Sequence, residues 1–316
     1  MIFTAMMFAA CGAPGGGSHV GDDDMVDAPI GHADGPNWRP DSPVSGQTLT
    51  IFTIVLENHD YGEIVGSSNA PYINSLISGN ALATNYSDTN HPSLPNYLHM
   101  VSGADQYPGL LDVGPNQWPY FPAAQPNLGT QLEGASIKWR SYQEHMGTAC
   151  SLTDNGTYAT KHDPFIYFTD QQSDATLCAN TNVDYSNFAA DLASNQYRYM
   201  WITPDLNDDG HDPSTDPVTA LHDSDTWLST EVPKILASDA YQHGGILFLT
   251  WDEAENRTDK DRVPMIVISK LVKTPGMTSA NTYNHSSYLA TVEDLLGLQR
   301  LATVSTAPNM MEFLNH

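Results

Sequence analysis

Positive charge is scarce in this chain. Its 316 residues hold 12 Lys and Arg against 37 Asp and Glu, a formal net charge of −25 at pH 7. A nucleic-acid binder that works through phosphate contacts needs a basic face, and a basic peripheral membrane protein needs clustered cations. Neither can be built from this composition, so no nucleic-acid partner is expected. Long apolar runs are also missing. Beyond the first ten residues no stretch reaches the roughly 18 apolar residues of a membrane-spanning helix. Cysteine is limited to Cys11, Cys150 and Cys178, and no internal repeat is visible. Disorder throughout is excluded by 40% apolar and 9% aromatic residues. The acidity imposes one condition: an anionic substrate is repelled by the overall field, so any anion site must carry its own local positive charge.

The start of the chain reads as an export signal. Met1 to Ala10 are apolar or small and uncharged, and the run closes on Ala9-Ala10-Cys11. This resembles the bacterial lipoprotein signal, with Phe8 in place of the usual Leu and no preceding basic segment. The resemblance implies a lipidated Cys11 and a membrane tether; the alternative is plain secretion. Residues 12–46 are rich in Gly, Pro, Ser and Asp. They contain Asp22, Asp23, Asp24, Asp27, Asp34 and Asp41 against Arg39 alone, and form an acidic flexible tether. Cys150 and Cys178 then remain as an even pair, which in an exported protein suggests a disulfide worth about 3 kcal/mol on the chain-entropy model.

From residue 47 onward β-rich and helical patterns alternate. Strands are expected at 48–56, 136–142, 197–203, 245–250 and 263–269. Helices are expected at 71–81, 94–101, 184–193, 223–237 (with a kink or break at Pro233) and 286–298. This alternation predicts an α/β domain over 47–316 with a mostly parallel central sheet flanked by helices.

In such sheets ligands bind beyond the carboxyl ends of the strands. Glu57 and Asn58 follow the first run, Asp205, Asp208, Asp209 and His211 follow the third, and Asp252 and Glu253 follow the fourth. Solvated loop acids are the ordinary explanation for any one of these. Three groups converging at one sheet edge repel one another unless a cation lies between them, and Glu, Asn and Asp oxygens suit a divalent metal ion. Asp205 to Asp216 fits part of an EF-hand loop, but a strand and Pro204 precede it where a helix is required, which argues against that motif. Ser93 stands in His91-Pro92-Ser93-Leu94-Pro95-Asn96 at the start of a helix. Two readings are open there: a plain N-cap, or a nucleophile for a phosphoryl group beside helix-start N–H donors.

The segments IVLENHDYGEIVG, APYINSL, HPSLPNYLHMVSG, KHDPFIYF, ITPDLNDDGHD, DTWLSTEVPKIL, LTWDEA, VPMIVIS and NHSSYLATVEDLLGL occur in this order between residues 51 and 298. Together they resemble the bacterial and fungal phosphoesterase family of secreted acid phosphatases and phospholipases C, in particular its short acid-phosphatase and phosphatidylinositol 3-phosphatase branch. The resemblance implies an alkaline-phosphatase-like α/β fold and metal-assisted hydrolysis through a phospho-enzyme. It implies Glu57, Asn58, Asp252 and Glu253 as metal ligands and Ser93 as nucleophile. Asn96, His162 and His211 are implied as phosphate or leaving-group contacts, with His211 the proton donor; Asp205 and His285 match by position. One departure is His59-Asp60-Tyr61, where relatives often carry Arg and then Ser-Phe. The expected activity is a metal-dependent phosphomonoesterase acting on a small phosphate ester or phospholipid headgroup. A phospholipase C-type phosphodiesterase is the first alternative, and a non-catalytic calcium-binding or adhesion lipoprotein the second.

Overall fold

Two apolar runs without polar alternation, Thr50–Leu56 (β1) and Gly245–Trp251 (β7), are buried along their whole length. That is the signature of strands covered on both faces. They pair in parallel, with Thr50 opposite Gly245 and Leu56 opposite Trp251. The structure is a computed structural model and describes residues 49–104, 112–117, 126–211, 216–255 and 261–315. The leader, Cys11 and the whole tether lie outside the described residues.

The other strands are Ala81–Ala83 (β2), Tyr86–Ser87 (β3), Trp139–Gln143 (β4), Asn182–Asp184 (β5), Tyr199–Thr203 (β6), Met265–Ser269 (β8), Met277–Ser279 (β9) and Tyr283–Asn284 (β10). Eight of the ten strands among the described residues form one sheet in the order β5-β4-β6-β1-β7-β8-β2-β9, and β10 and β3 form a separate parallel pair. The large sheet is parallel except around β8, which runs antiparallel to both β7 and β2. The mostly parallel α/β architecture predicted from the alternating pattern is therefore present. The short strands β2, β3, β5, β9 and β10 carry too few residues for a periodicity and had no counterpart in the sequence reading.

Helices cover the sheet. Helix His285–Leu295 drives Tyr288 into the core, where its hydroxyl lies 2.7 Å from Thr53 Oγ1 and 2.9 Å from Tyr199 Oη. Helix Pro71–Gly79 has no capping side chain of its own; Asp225, from helix Pro217–Ala237, accepts from Tyr72 N at 3.1 Å and Ile73 N at 2.8 Å. Two helical expectations need correction. Helix Pro217–Ala237 starts earlier than expected and runs through Pro233 without ending there. Pro233 is exposed, as is Ser229 one turn earlier, so water can satisfy the carbonyl that the missing N–H releases. The helix expected from Asp184 begins only at Phe188, because Asp184 ends β5 and its carboxylate accepts from Ser186 N to start a 3-10 turn.

Cys150 and Cys178 form a disulfide. It closes a loop between β4 and β5 that also anchors itself in the core through Phe165, Ile166, Tyr167 and Phe168. Among the described residues, no helix is long and apolar enough to cross a membrane.

Candidate active site

The parallel pairing of β1 and β7 has a direct chemical consequence. The two strands end side by side, and Asp252 N donates to Leu56 O at 2.9 Å. Glu57-Asn58 and Asp252-Glu253 are thereby brought to one point, all four buried. Helix Ser93–Ser102 begins at the same place. Its last turn closes on Gly103 at φ +63°, where a Cβ would stand 2.4 Å from Val304 Cγ1, so only glycine fits.

Ser93 Oγ donates toward Glu57 Oε2 at 2.9 Å and lies 3.3 Å from Glu253 Oε1. Asn58 Nδ2 donates to Glu253 Oε1 at 3.1 Å, which leaves Asn58 Oδ1 as the free end of its amide. Asn58 Oδ1 and both carboxylate oxygens of Asp252 are buried without a hydrogen-bond partner among the described residues. Orphaned oxygens of this kind are costly in a folded interior. A hard divalent cation with oxygen ligands would satisfy them, so the residues present fit such an ion.

Electrostatics agree with that fit. Burial, with Glu57 and Glu253 nearby, pushes the Asp252 carboxyl well above its ordinary range. Burial, Glu57 and Asp88 likewise push Glu253 up to about 9. Glu57 is the exception. Burial raises it, but His162, Lys161 and the Ser93 hydroxyl together outweigh burial and hold it well below the usual carboxylate range. His162 Nε2 lies 3.1 Å from Glu57 Oε1, and its ring stacks on Tyr97 with centroids 5.2 Å apart.

The other four expected residues are placed in four different ways. Asn96 is inside the cluster but serves the chain. Its Oδ1 accepts from Asn90 N at 2.9 Å and Thr89 N at 3.2 Å, and its Nδ2 donates to Asn90 O, with Glu253 Oε2 at 3.4 Å. His211 is partly exposed at the mouth, with Nε2 3.6 Å from Glu255 Oε2. It is tied to the cluster through Asp209, whose carboxylate accepts from His211 N at 2.9 Å and whose carbonyl accepts from Glu57 N at 2.8 Å.

His285 is fully buried beneath the cluster. Its Nε2 donates to Asp252 O at 2.6 Å, and its Nδ1 lies 2.8 Å from Tyr86 Oη. A carbonyl only accepts, so this is the neutral Nε2–H tautomer with Tyr86 donating. Burial lowers the imidazole pKa to about 3 and keeps it neutral. In this position His285 fixes the backbone of Asp252.

Asp205 points elsewhere. Its carboxylate is held by His145, Thr157 and the Asn207 N–H, the last at 2.8 Å. With Glu144 and Asp208 it forms a separate acidic group whose oxygens lie within 4.8 Å of one another. Glu144 is itself engaged by Trp227 Nε1 at 3.2 Å and Asp205 N at 3.1 Å.

Several contributors were not singled out from the sequence. Lys161 reaches Glu57 and Asp112; Asp88 accepts from Ala254 N at 2.9 Å and holds the Glu253 loop; His91 contacts Glu253. Lys161 and His91 lie inside recognised segments, beside His162 and Ser93, so position in the segment was the available signal. Asp88 and Asp112 carried none.

The sheet order, with a buried acidic cluster at the carboxyl ends of its strands, is that of an alkaline-phosphatase-like α/β protein. A solved member of the alkaline phosphatase superfamily from Vibrio parahaemolyticus superposes with a TM-score of 0.56 at 13% identity, covering 85% of this chain and 70% of that one. Within that class, the chain belongs to the Phosphoesterase family, whose model matches residues 66–299. It is 29% identical over 285 residues to a probable acid phosphatase of Kluyveromyces lactis, covering 86% of this chain and 64% of that protein. It is 27% identical over 262 residues to a phosphatidylinositol-3-phosphatase of Mycobacterium tuberculosis, covering 82% of this chain and 80% of that one. The chain thus spans just under two thirds of the Kluyveromyces relative's length.

Proposed function

We propose that this protein is an exported, metal-dependent phosphomonoesterase that hydrolyses phosphate esters through a phospho-Ser93 intermediate. The observation that carries the reading is the placement of the Ser93 hydroxyl, 2.9 Å from Glu57, beside the orphaned oxygens of Asp252 and Asn58. A serine capping a helix for structural reasons has no need of three buried acids around it. Relatives named acid phosphatase and phosphatidylinositol-3-phosphatase support the substrate class. The Cys150–Cys178 disulfide supports export, since such bonds persist in oxidising compartments.

Glu57, Asn58, Asp252 and Glu253 would hold the divalent ion, and when bound it would supply Lewis-acid charge that acidifies the serine hydroxyl and draws charge from a phosphoryl oxygen. The chain's own part is as follows. Glu57 Oε2 accepts from the Ser93 hydroxyl at 2.9 Å and orients it. The Ser93 hydroxyl gives its proton to water, Oγ forms the bond to phosphorus, and the bond from phosphorus to the ester oxygen breaks. His211, at the solvent edge, protonates the leaving alcohol and later assists the water that cleaves phospho-Ser93. N–H groups at the start of the serine's helix and His162 face the equatorial phosphoryl oxygens.

The test is to quench turnover of a labelled phosphomonoester in acid and locate the label. Label on Ser93, absent in Ser93→Ala along with p-nitrophenyl phosphate turnover, is the expected result. Near wild-type turnover by Ser93→Ala would overturn the nucleophile.

A further inference from the structure

The proposed site is made of carboxylates, yet its substrate is an anion. Among the described residues, one ammonium reaches it. Lys161 Nζ lies 3.9 Å from Glu57 Oε2, the oxygen that receives the Ser93 hydroxyl, and 3.1 Å from Asp112 Oδ2. Its side chain is 23% exposed, so the residue reaches the buried Glu57 while keeping access to solvent. Asp112 is the more informative partner. Its other oxygen, Oδ1, accepts from Leu94 N at 3.0 Å, the N–H immediately after the nucleophile. One carboxylate therefore bridges an ammonium and a helix-start N–H next to Ser93. Two oxygens of a phosphoryl group are also anionic acceptors, suited to the same ammonium and N–H donors.

We propose that Lys161 is the residue that reads substrate charge: its ammonium exchanges the Asp112 carboxylate for the phosphoryl group and makes the site select dianionic phosphomonoesters over monoanionic diesters. This rests on the reading of Ser93 as the nucleophile. A monoester gains its second negative charge near pH 6, whereas a diester keeps one charge throughout. An ammonium placed beside the nucleophile, in addition to whatever cation the carboxylates hold, therefore favours the monoester. Lysine suits this task because a flexible point charge can leave one acceptor for another. It also meets the demand set by the acidic composition, that an anion site here must bring its own positive charge.

The experiment compares wild type, Lys161→Met, Lys161→Arg and Asp112→Asn in the full chain with divalent metal. Turnover of p-nitrophenyl phosphate and bis(p-nitrophenyl) phosphate is measured at pH 7, and binding of inorganic phosphate is measured by calorimetry. Lys161→Met should lower kcat/KM for the monoester by about ten- to a hundred-fold, mainly through KM, as loss of one charged hydrogen bond implies. Diester turnover should change by less than about three-fold, since it lacks the second charge. Lys161→Arg should restore part of the monoester preference, and Asp112→Asn should tighten phosphate binding by removing the competing carboxylate. Parallel losses on both esters, or no change on either, would overturn the assignment, as would weaker phosphate binding in Asp112→Asn. A wild type inactive on both esters would sink the proposed function; calorimetry on Lys161→Met would then still decide whether Lys161 binds phosphate.

Discussion

Asp252→Asn should change stability in opposite directions with and without metal. Asp252 is fully buried, neither carboxylate oxygen has a hydrogen-bond partner among the described residues, and Glu57 and Glu253 are close enough to raise its pKa. In chelator these acids face one another across a low-dielectric pocket. Asparagine cannot ionise and supplies an NH2 that can donate to a neighbouring carboxylate. Relief of an unsatisfied buried acid is worth about 1–3 kcal/mol. For a domain of this size that is a rise in Tm of roughly 2–12 °C. With metal at about a thousand times its Kd, wild type should gain about 4 kcal/mol, or roughly 8–16 °C, from binding to the folded state alone. The variant lacks a charged ligand and should gain little. Thermal unfolding followed by circular dichroism, in EDTA and then with Mg2+, Ca2+, Mn2+ or Zn2+ added back, reads both signs. A wild-type Tm indifferent to chelation and to every ion would refute the cation site. A variant less stable than wild type by the same amount in both conditions would show that Asp252 is only a packing residue.

Two further outcomes follow from features away from the pocket. Glu293 is buried in helix His285–Leu295, accepts from Gln131 Nε2 and Leu301 N at 2.8 Å each, and burial raises its pKa from 4.5 to about 7. The folded state therefore keeps a proton that the unfolded chain releases above 4.5. This contribution is fully present below pH 4.5 and is lost as pH rises to about 7, a swing of up to about 3 kcal/mol. Glu293→Gln should flatten the decline in denaturant midpoint over that range, and an unchanged pH slope would count against it. Separately, Cys178→Ser should cost about 3 kcal/mol by releasing the loop to Cys150, with the Tm response to metal intact; a lost metal response would mean that the staple also shapes the pocket.

The fold was largely legible because its long elements carry their own periodicity. The uninterrupted apolar run of β1 can only be a strand covered on both faces, and the alternation of such runs with helical segments leaves a parallel α/β sheet as the economical solution. The candidate site was legible in part for a related reason. In a parallel sheet every strand delivers its carboxyl end to the same edge, so residues just after two strands are bound to meet if the strands are neighbours. Glu57-Asn58 and Asp252-Glu253 are such residues. Ser93 stood out through the helix that begins at it.

The sequence by itself determined the class of fold, the acidic character of the pocket and the residue types available for chemistry, because these depend on composition, period and position at element ends. Only the tertiary structure decided what each side chain faces. Asp205 follows a central strand just as Glu57 does, yet its loop turns it toward Glu144 and Asp208. His285 begins a helix near the site, but the β3–β10 pairing sets Tyr86 against it and turns its other nitrogen onto the backbone of Asp252. Lys161 and Asp112 meet beside Ser93 across 49 positions of chain. Such contacts depend on loop paths set by the packing of remote elements, and no local period or propensity encodes them.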